Sequence, residues 1–284
     1  MNAMTNRIRD VVVLNHRLDP IETELHIHVK VDELTATTVF KGRLIGPRSA
    51  HASTIEIAYP LREFERSDHV VLRVVIPEPS LWEPKTPFLY EGPLELWQEG
   101  VLCERMTIRH GIRALQLTSK GLRLNGKPFG LRGKIVAPCF TECDAKTLRD
   151  AGFNALWTTV TTPAVEPWNV ADRAGFLLMG TSVELNTFLL FRHELTSHPS
   201  HFGWIFNRAD LAKAPQQQEG LAMLYGVNTS AQSRPEQADF LVCHENELAW
   251  LDDADIPKLV VVKRLPDPLP TRRDVIGWIE SPTT

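Results

Sequence analysis

What this chain lacks narrows the field first. It has four cysteines in 284 residues: Cys103, Cys139, Cys143 and Cys243. So few in so long a chain do not make a disulfide framework, and Cys139 with Cys143 has no second pair to complete a zinc site. Cys243 and His244 are neighbours, so along a strand they point to opposite faces and make no thiolate–imidazole pair. No apolar run approaches the ~18 residues of a membrane-crossing helix, so no membrane association is expected. The N-terminal apolar stretch, Val11–Leu14, is too short for a signal peptide, which predicts a cytoplasmic protein. Charge of one sign is also missing. Lysine and arginine number 31 against 35 acidic residues, a net −4, so there is no electrostatic footprint for nucleic acid. Nor is there a glycine-rich phosphate loop. His26 and His28 share the wet face of a strand, but the sequence shows no third ligand beside them. No metal or organic cofactor is implied.

What is present reads as two globular halves. Up to about residue 117 the apolar pattern has period two. Leu25, Ile27, Val29 and Val31 alternate with His26, His28, Lys30 and Asp32, the signature of a strand with one buried face. Residues 54–58, 70–76, 88–97 and 104–108 read as further strands separated by turns, which suggests an all-β sandwich over 1–117. After residue 117 the rhythm changes. Asn125-Gly126 is a type I′ hairpin signal. Strands are expected at 131–136, 155–160, 176–183, 202–206, 221–227, 240–243, 259–262 and 275–279. Helices are expected at 144–151, with Asp144 as N-cap and Gly152 as the stop, and at 165–174 and 189–195. Eight strands alternating with helices suggest a TIM (β/α)8 barrel over 118–284. That span is shorter than the ~250 residues usual for the fold, so the barrel is either minimal or incomplete, with an uncovered edge.

Several segments, taken in order, point to a family. They are PSLWEPKTPFLY at 79–90, HGIR at 110–113, LNGKP at 124–128 followed by LRG at 131–133, LRDAGFN at 148–154, DRAGFLL at 172–178 running to Glu184, and HPS at 198–200 with Trp204. Their order and spacing are similar to those of glycoside hydrolase family 2, the β-galactosidase, β-glucuronidase and β-mannosidase group. The resemblance runs from about residue 79 to residue 207. It implies an immunoglobulin-like β-sandwich leading into the barrel, and an active site at the carboxyl ends of the barrel strands.

The same resemblance exposes a deficit. Retaining glycosidases use two carboxyl groups, one protonating the leaving oxygen and one attacking the anomeric carbon. The family's acid/base glutamate would follow strand four, where this chain has Arg208 or Ala209, depending on one gap. Its nucleophile would end strand seven, where Lys263 follows the apolar run. Arginine gives up no proton at working pH, and a lysine cation repels the positive charge that develops at the sugar. The carboxylates left near strand ends are Glu184, Asp210 and Glu245, with Glu247 beside the last and Glu280 ending the final strand. Each also has a plain structural explanation, which for Asp210 is capping a helix that starts at Leu211. Asn207, Trp157 and Trp204 are candidate sugar contacts, the tryptophans through their aromatic faces, with Trp278 a further aromatic near a strand end. Core packing is the competing explanation for Trp204.

Three functions remain open. One is a degenerate, non-hydrolytic relative that binds a carbohydrate or a protein partner. Another is an active retaining β-glycosidase with relocated carboxylates. The third is a scaffold or self-association module that uses the uncovered barrel edge.

Overall fold

The computed structural model describes residues 6–118, 121–162, 164–215, 223–228, 237–251 and 256–282. By their contacts the residues divide into two compact units, Met1–Arg113 with Thr196–Pro199, and Ala114–Leu195 with Ser200–Thr284.

The first unit is an antiparallel β-sandwich. Its strands are β1 (Ile8–Leu18), β2 (Glu22–Val31), β3 (Thr38–Arg48), β4 (Ile57–Pro60), β5 (Arg62–Arg66), β6 (Val70–Pro77), β7 (Leu89–Gln98) and β8 (Val101–His110). One sheet has the order β1-β2-β6-β5 and the other β4-β3-β7-β8. Period-two patterning explains the layering. Leu25, Ile27 and Val29 of β2 and Leu72, Val74 and Ile76 of β6 turn inward. They meet Leu44, Tyr90, Leu94 and Ile108 of the other sheet in one core. Burying each such aliphatic side chain contributes about 1.5–3 kcal/mol. Strands β1, β3 and β5 had no clear signal in the sequence because polar residues interrupt their alternation. The strand expected at 54–58 begins instead at Ile57.

In β1 the ladder to β2 slips between Asn15 and Arg17, so His16 is an extra residue without a partner across the ladder. A bulge of this kind bends the strand and re-aims the side chain it carries.

The second unit opens with β9 (Leu115–Thr118), β10 (Gly121–Leu124) and β11 (Lys127–Pro128). Asn125 and Gly126 join β10 to β11 with φ of 51° and 76°, the two positive values a type I′ turn needs. Eight parallel strands then close on themselves. They are β12 (Leu131–Val136), β13 (Ala155–Thr159), β14 (Leu177–Thr181), β15 (His201–Phe206), β16 (Leu224–Asn228), β17 (Phe240–His244), β18 (Lys258–Val262) and β19 (Val275–Glu280). Residues 221 and 222 of the expected fifth strand lie outside the described residues.

The last strand pairs with the first, Leu131 opposite Gly277 and Gly133 opposite Ile279. The barrel is therefore closed. Of the two alternatives that the short span left open, a minimal barrel or an incomplete one with an uncovered edge, the second does not hold, because β19 pairs with β12 on one side and β18 on the other.

Among the described residues the helices are fewer than a full (β/α)8 pattern has. They are α1 (Glu142–Asp150), α2 (Glu166–Ala174), α3 (Leu185–Thr196), the single turn α4 (Arg208–Leu211) and a 3-10 helix at Glu245–Trp250. Helix α1 starts two residues earlier than expected. Thr141, not Asp144, is its N-cap; Asp144 sits at N3 and returns its carboxylate to the Thr141 amide in a capping box.

Side-chain alternation sorts the barrel strands. Leu156, Leu178, Trp204, Phe206, Tyr225, Val227 and Leu241 pack outward against Trp168 of α2 and Phe188, Phe191 and Leu195 of α3. The intervening residues, such as Trp157, Met179 and Ile205, accordingly turn toward the barrel interior.

Candidate functional site

Because all eight strands are parallel, their carboxyl ends gather at one end of the barrel. The residues that finish them are Val136, Thr159, Thr181, Phe206, Asn228, His244, Val262 and Glu280. Just one is acidic. Glu280 lies in register with the outward-packed Trp278, accepts from Lys134 Nζ at 3.0 Å and takes the Leu265 amide at 3.2 Å. Burial works to raise its pKa, but these donors and the Lys134 charge outweigh it and hold the group below the usual glutamate value. Glu280 is thus an ion-pair member rather than a free strand-end acid.

The residues singled out in the sequence do reach this end of the barrel. Asn207, Arg208 and Ala209 follow β15 directly and are exposed, and Lys263 follows β18 and is exposed. Glu184 lies exposed in the turn after β14, where its backbone carbonyl accepts from Ser182 Oγ at 2.8 Å. Glu245 begins the 3-10 helix after β17 and is exposed, while Glu247 reaches back to the His244 amide at 2.7 Å.

Asp210 needs correction. It caps nothing at Leu211. The N-cap is Asn207, whose Oδ1 accepts from the Asp210 amide at 2.9 Å and whose Nδ2 donates to Asp210 Oδ2 at 2.6 Å. The capping interaction thus holds both the Asn207 amide and one oxygen of the nearest carboxylate to the expected acid/base position.

Trp204 is also corrected. Its side chain is 0% exposed, its ring lies 5.2 Å from Phe188, and a Cβ on Gly180 would come within 2.3 Å of it. It is core and has no face to offer a sugar. Trp278 is likewise buried, with Val260, Val262 and Leu265. Trp157, by contrast, is half-buried on the interior-facing side of β13.

Cys243 is not set up as a nucleophile. Burial pushes its thiol up to about 11, with Glu247 adding to the effect, so the reactive thiolate is scarce at neutral pH. His244 is exposed while Cys243 is buried, as opposite strand faces require.

Comparison with known proteins shows what the chain is similar to. A structure of a glycosyl hydrolase family 2 member from Bacteroides cellulosilyticus matches 98% of this chain and 44% of its own, with a TM-score of 0.67 and 18% identity. A β-glycosidase structure from Bacteroides vulgatus matches 90% of this chain and 38% of its own, with a TM-score of 0.70 and 14% identity. The fold, a β-sandwich followed by a closed parallel barrel, is therefore that of these glycoside hydrolases. At the level of sequence, the family described as glycosyl hydrolases family 2 matches residues 6–113. The β-galactosidase BoGH2A of Bacteroides ovatus is 27% identical over 150 residues, 48% of this chain and 17% of that protein. The chain is thus similar to glycosyl hydrolases of family 2 in part of its sequence and in its fold, and it spans less than half the length of each of these proteins.

Proposed function

We propose that this chain is a non-hydrolytic member of the group that holds a carbohydrate at the carboxyl-end mouth of its barrel. The observation that carries the reading is the chemistry of the strand ends. Arg208 or Ala209 follows β15 and Lys263 follows β18, where the family resemblance calls for the two glutamates, and the one acidic strand-final residue is tied to Lys134. Without a proton donor and a nucleophile about 5 Å apart, retaining hydrolysis has no route. The half-buried face of Trp157 supports sugar binding, since an aromatic ring covers the apolar face of a pyranose.

The finer fold reading belongs to the same proposal: an immunoglobulin-like sandwich followed by a small TIM-type barrel. So does a cytoplasmic setting, which suits four free thiols. No helix among the described residues is long and apolar enough to cross a membrane.

The test is release of a fluorescent aglycone from β-galactosides, β-glucuronides, β-mannosides and β-glucosides, with Glu184→Gln alongside. No turnover is expected from either protein. Turnover in the wild type that Glu184→Gln abolishes would overturn the reading and place a relocated carboxylate in the site. Binding is read separately, from quenching of tryptophan fluorescence by the same glycosides without their label.

A further inference from the structure

The sandwich carries a cluster that none of the barrel chemistry uses. On the outward face of β2, Glu24 and His26 stand two residues apart, and the bulge in β1 delivers His16 beside them. In a regular ladder an exposed strand position would simply face its partner. Here the extra residue turns His16 onto His26, ring centroids 4.0 Å apart and planes within 5°. Its neighbour Arg17 instead pairs with Asp19 at 2.9 Å. The sequence set His26 beside His28; the structure groups His26 with His16 and Glu24 instead. One donor atom each of His16, Glu24 and His26 lies within 4.8 Å of the others.

We propose that His16, Glu24 and His26 form a binding site for one divalent transition-metal ion of the zinc type.

Two imidazoles and a carboxylate are the donor set that zinc takes in three-ligand sites, leaving one position for water. Imidazole donors favour zinc, copper and nickel over magnesium or calcium, which seek oxygen. Ligands at ~2.1 Å around a tetrahedral ion stand roughly 3.4 Å apart. His26 Nε2 and Glu24 Oε1 are already 2.8 Å apart, so an ion entering between them replaces their shared proton, while the exposed His16 ring turns out of its stack on His26 to aim a nitrogen at the ion.

The carboxylate is also oriented. Arg73 Nη2 holds Glu24 Oε2 at 2.7 Å, which turns the other oxygen toward His26. This is the supporting role that outer partners play at metal sites. Phe64, with its ring 5.1 Å from His26, walls the cluster and leaves His26 9% exposed, whereas His16 is exposed and gives an ion a way in.

A rival lies next to it. His28 Nδ1 and His69 Nε2 are 3.1 Å apart, with Asp68 on His69 Nδ1 at 2.8 Å. That pair has two imidazoles but no third donor grouped with it among the described residues.

The experiment titrates the full chain with Co2+, followed by its visible absorption, and then displaces it with Zn2+. One ion per chain, with the intense bands of a four-coordinate cobalt that zinc abolishes, is expected. His16→Ala removes an exposed side chain and should leave folding intact. It and Glu24→Gln are each expected to weaken binding at least 30-fold, whereas His28→Ala and His69→Ala change it by less than threefold. Circular dichroism and the melting temperature confirm that each variant is folded. Binding unaffected by His16→Ala and Glu24→Gln would overturn the assignment, and so would binding lost in His28→Ala or His69→Ala instead. Occupancy that never reaches one ion per chain, as scattered surface histidines would give, overturns it as well.

Discussion

Lys258 is fully buried at the start of β18, and its ammonium lies 3.0 Å from Asp274, a partner 16 residues away. Arg272 also donates to Asp274, at 3.2 Å. Partial burial tends to raise the Asp274 pKa, but the hydrogen bonds from Arg272 and Lys258 outweigh it and bring it from the ordinary 3.8 down to about 2. The depressed value gives the sign. The contribution to stability is complete above 3.8 and is lost as pH falls through about 2. Asp274→Asn should therefore flatten the acid limb of a stability–pH curve between those values. At neutral pH it leaves a buried ammonium without its carboxylate, at a cost of about 3 kcal/mol by urea denaturation. Gly180 is a second residue-scale case. Gly180→Ala drives a methyl into the Trp204 ring, and overpacking of this kind costs about 1–3 kcal/mol. At the barrel mouth, Trp157→Ala is expected to weaken glycoside binding about tenfold, roughly 1.4 kcal/mol, as read by titration with the unlabelled sugar.

Elements differ in how plainly their residues announce them. Strand β12 falls at Leu131–Val136 as its apolar run predicts, and the β10–β11 turn forms at Asn125-Gly126 because few other dipeptides tolerate two positive φ values. Helix starts are less plainly written in the residues. In α1 both Thr141 and Asp144 are capping residues by type, and the three-residue spacing that lets each serve the other decides which is N-cap. The same ambiguity recurs at α4, where Asn207 and Asp210 are again three apart. Asn207→Ala should destabilise the protein by about 1 kcal/mol, and release the Asp210 carboxylate without creating hydrolysis; thermal melting and the fluorogenic panel check the two parts. The β1 bulge had no local signal. A one-residue slip in a ladder depends on how both strands pack, so the convergence of His16 on Glu24 and His26 appeared with the fold alone.

For the whole molecule the decisive event is closure. A chain with few residues for eight strands was expected to be minimal or to leave an edge. The pairing of β19 with β12 removes that edge and, with it, the basis for assembly through it. Deleting residues 275–284 should open the barrel along β12 and β18 together. The expected result is loss of the cooperative thermal transition and concentration-dependent aggregation, measured by scanning calorimetry and light scattering.

The sequence by itself determined the broad architecture, because period-two patterning, the Asn125-Gly126 turn and eight apolar runs are local features that survive without long-range information. It also determined that Arg208, Ala209 and Lys263 stand near the ends of β15 and β18, since side-chain chemistry is written in the residues themselves. Tertiary structure alone decided which side chains face what. The burial of Trp204, the tying of Glu280 to Lys134 across 146 positions and the gathering of His16 with Glu24 and His26 all depend on strand register and closure. Such contacts join residues far apart in the chain, and no local pattern encodes the distance between them.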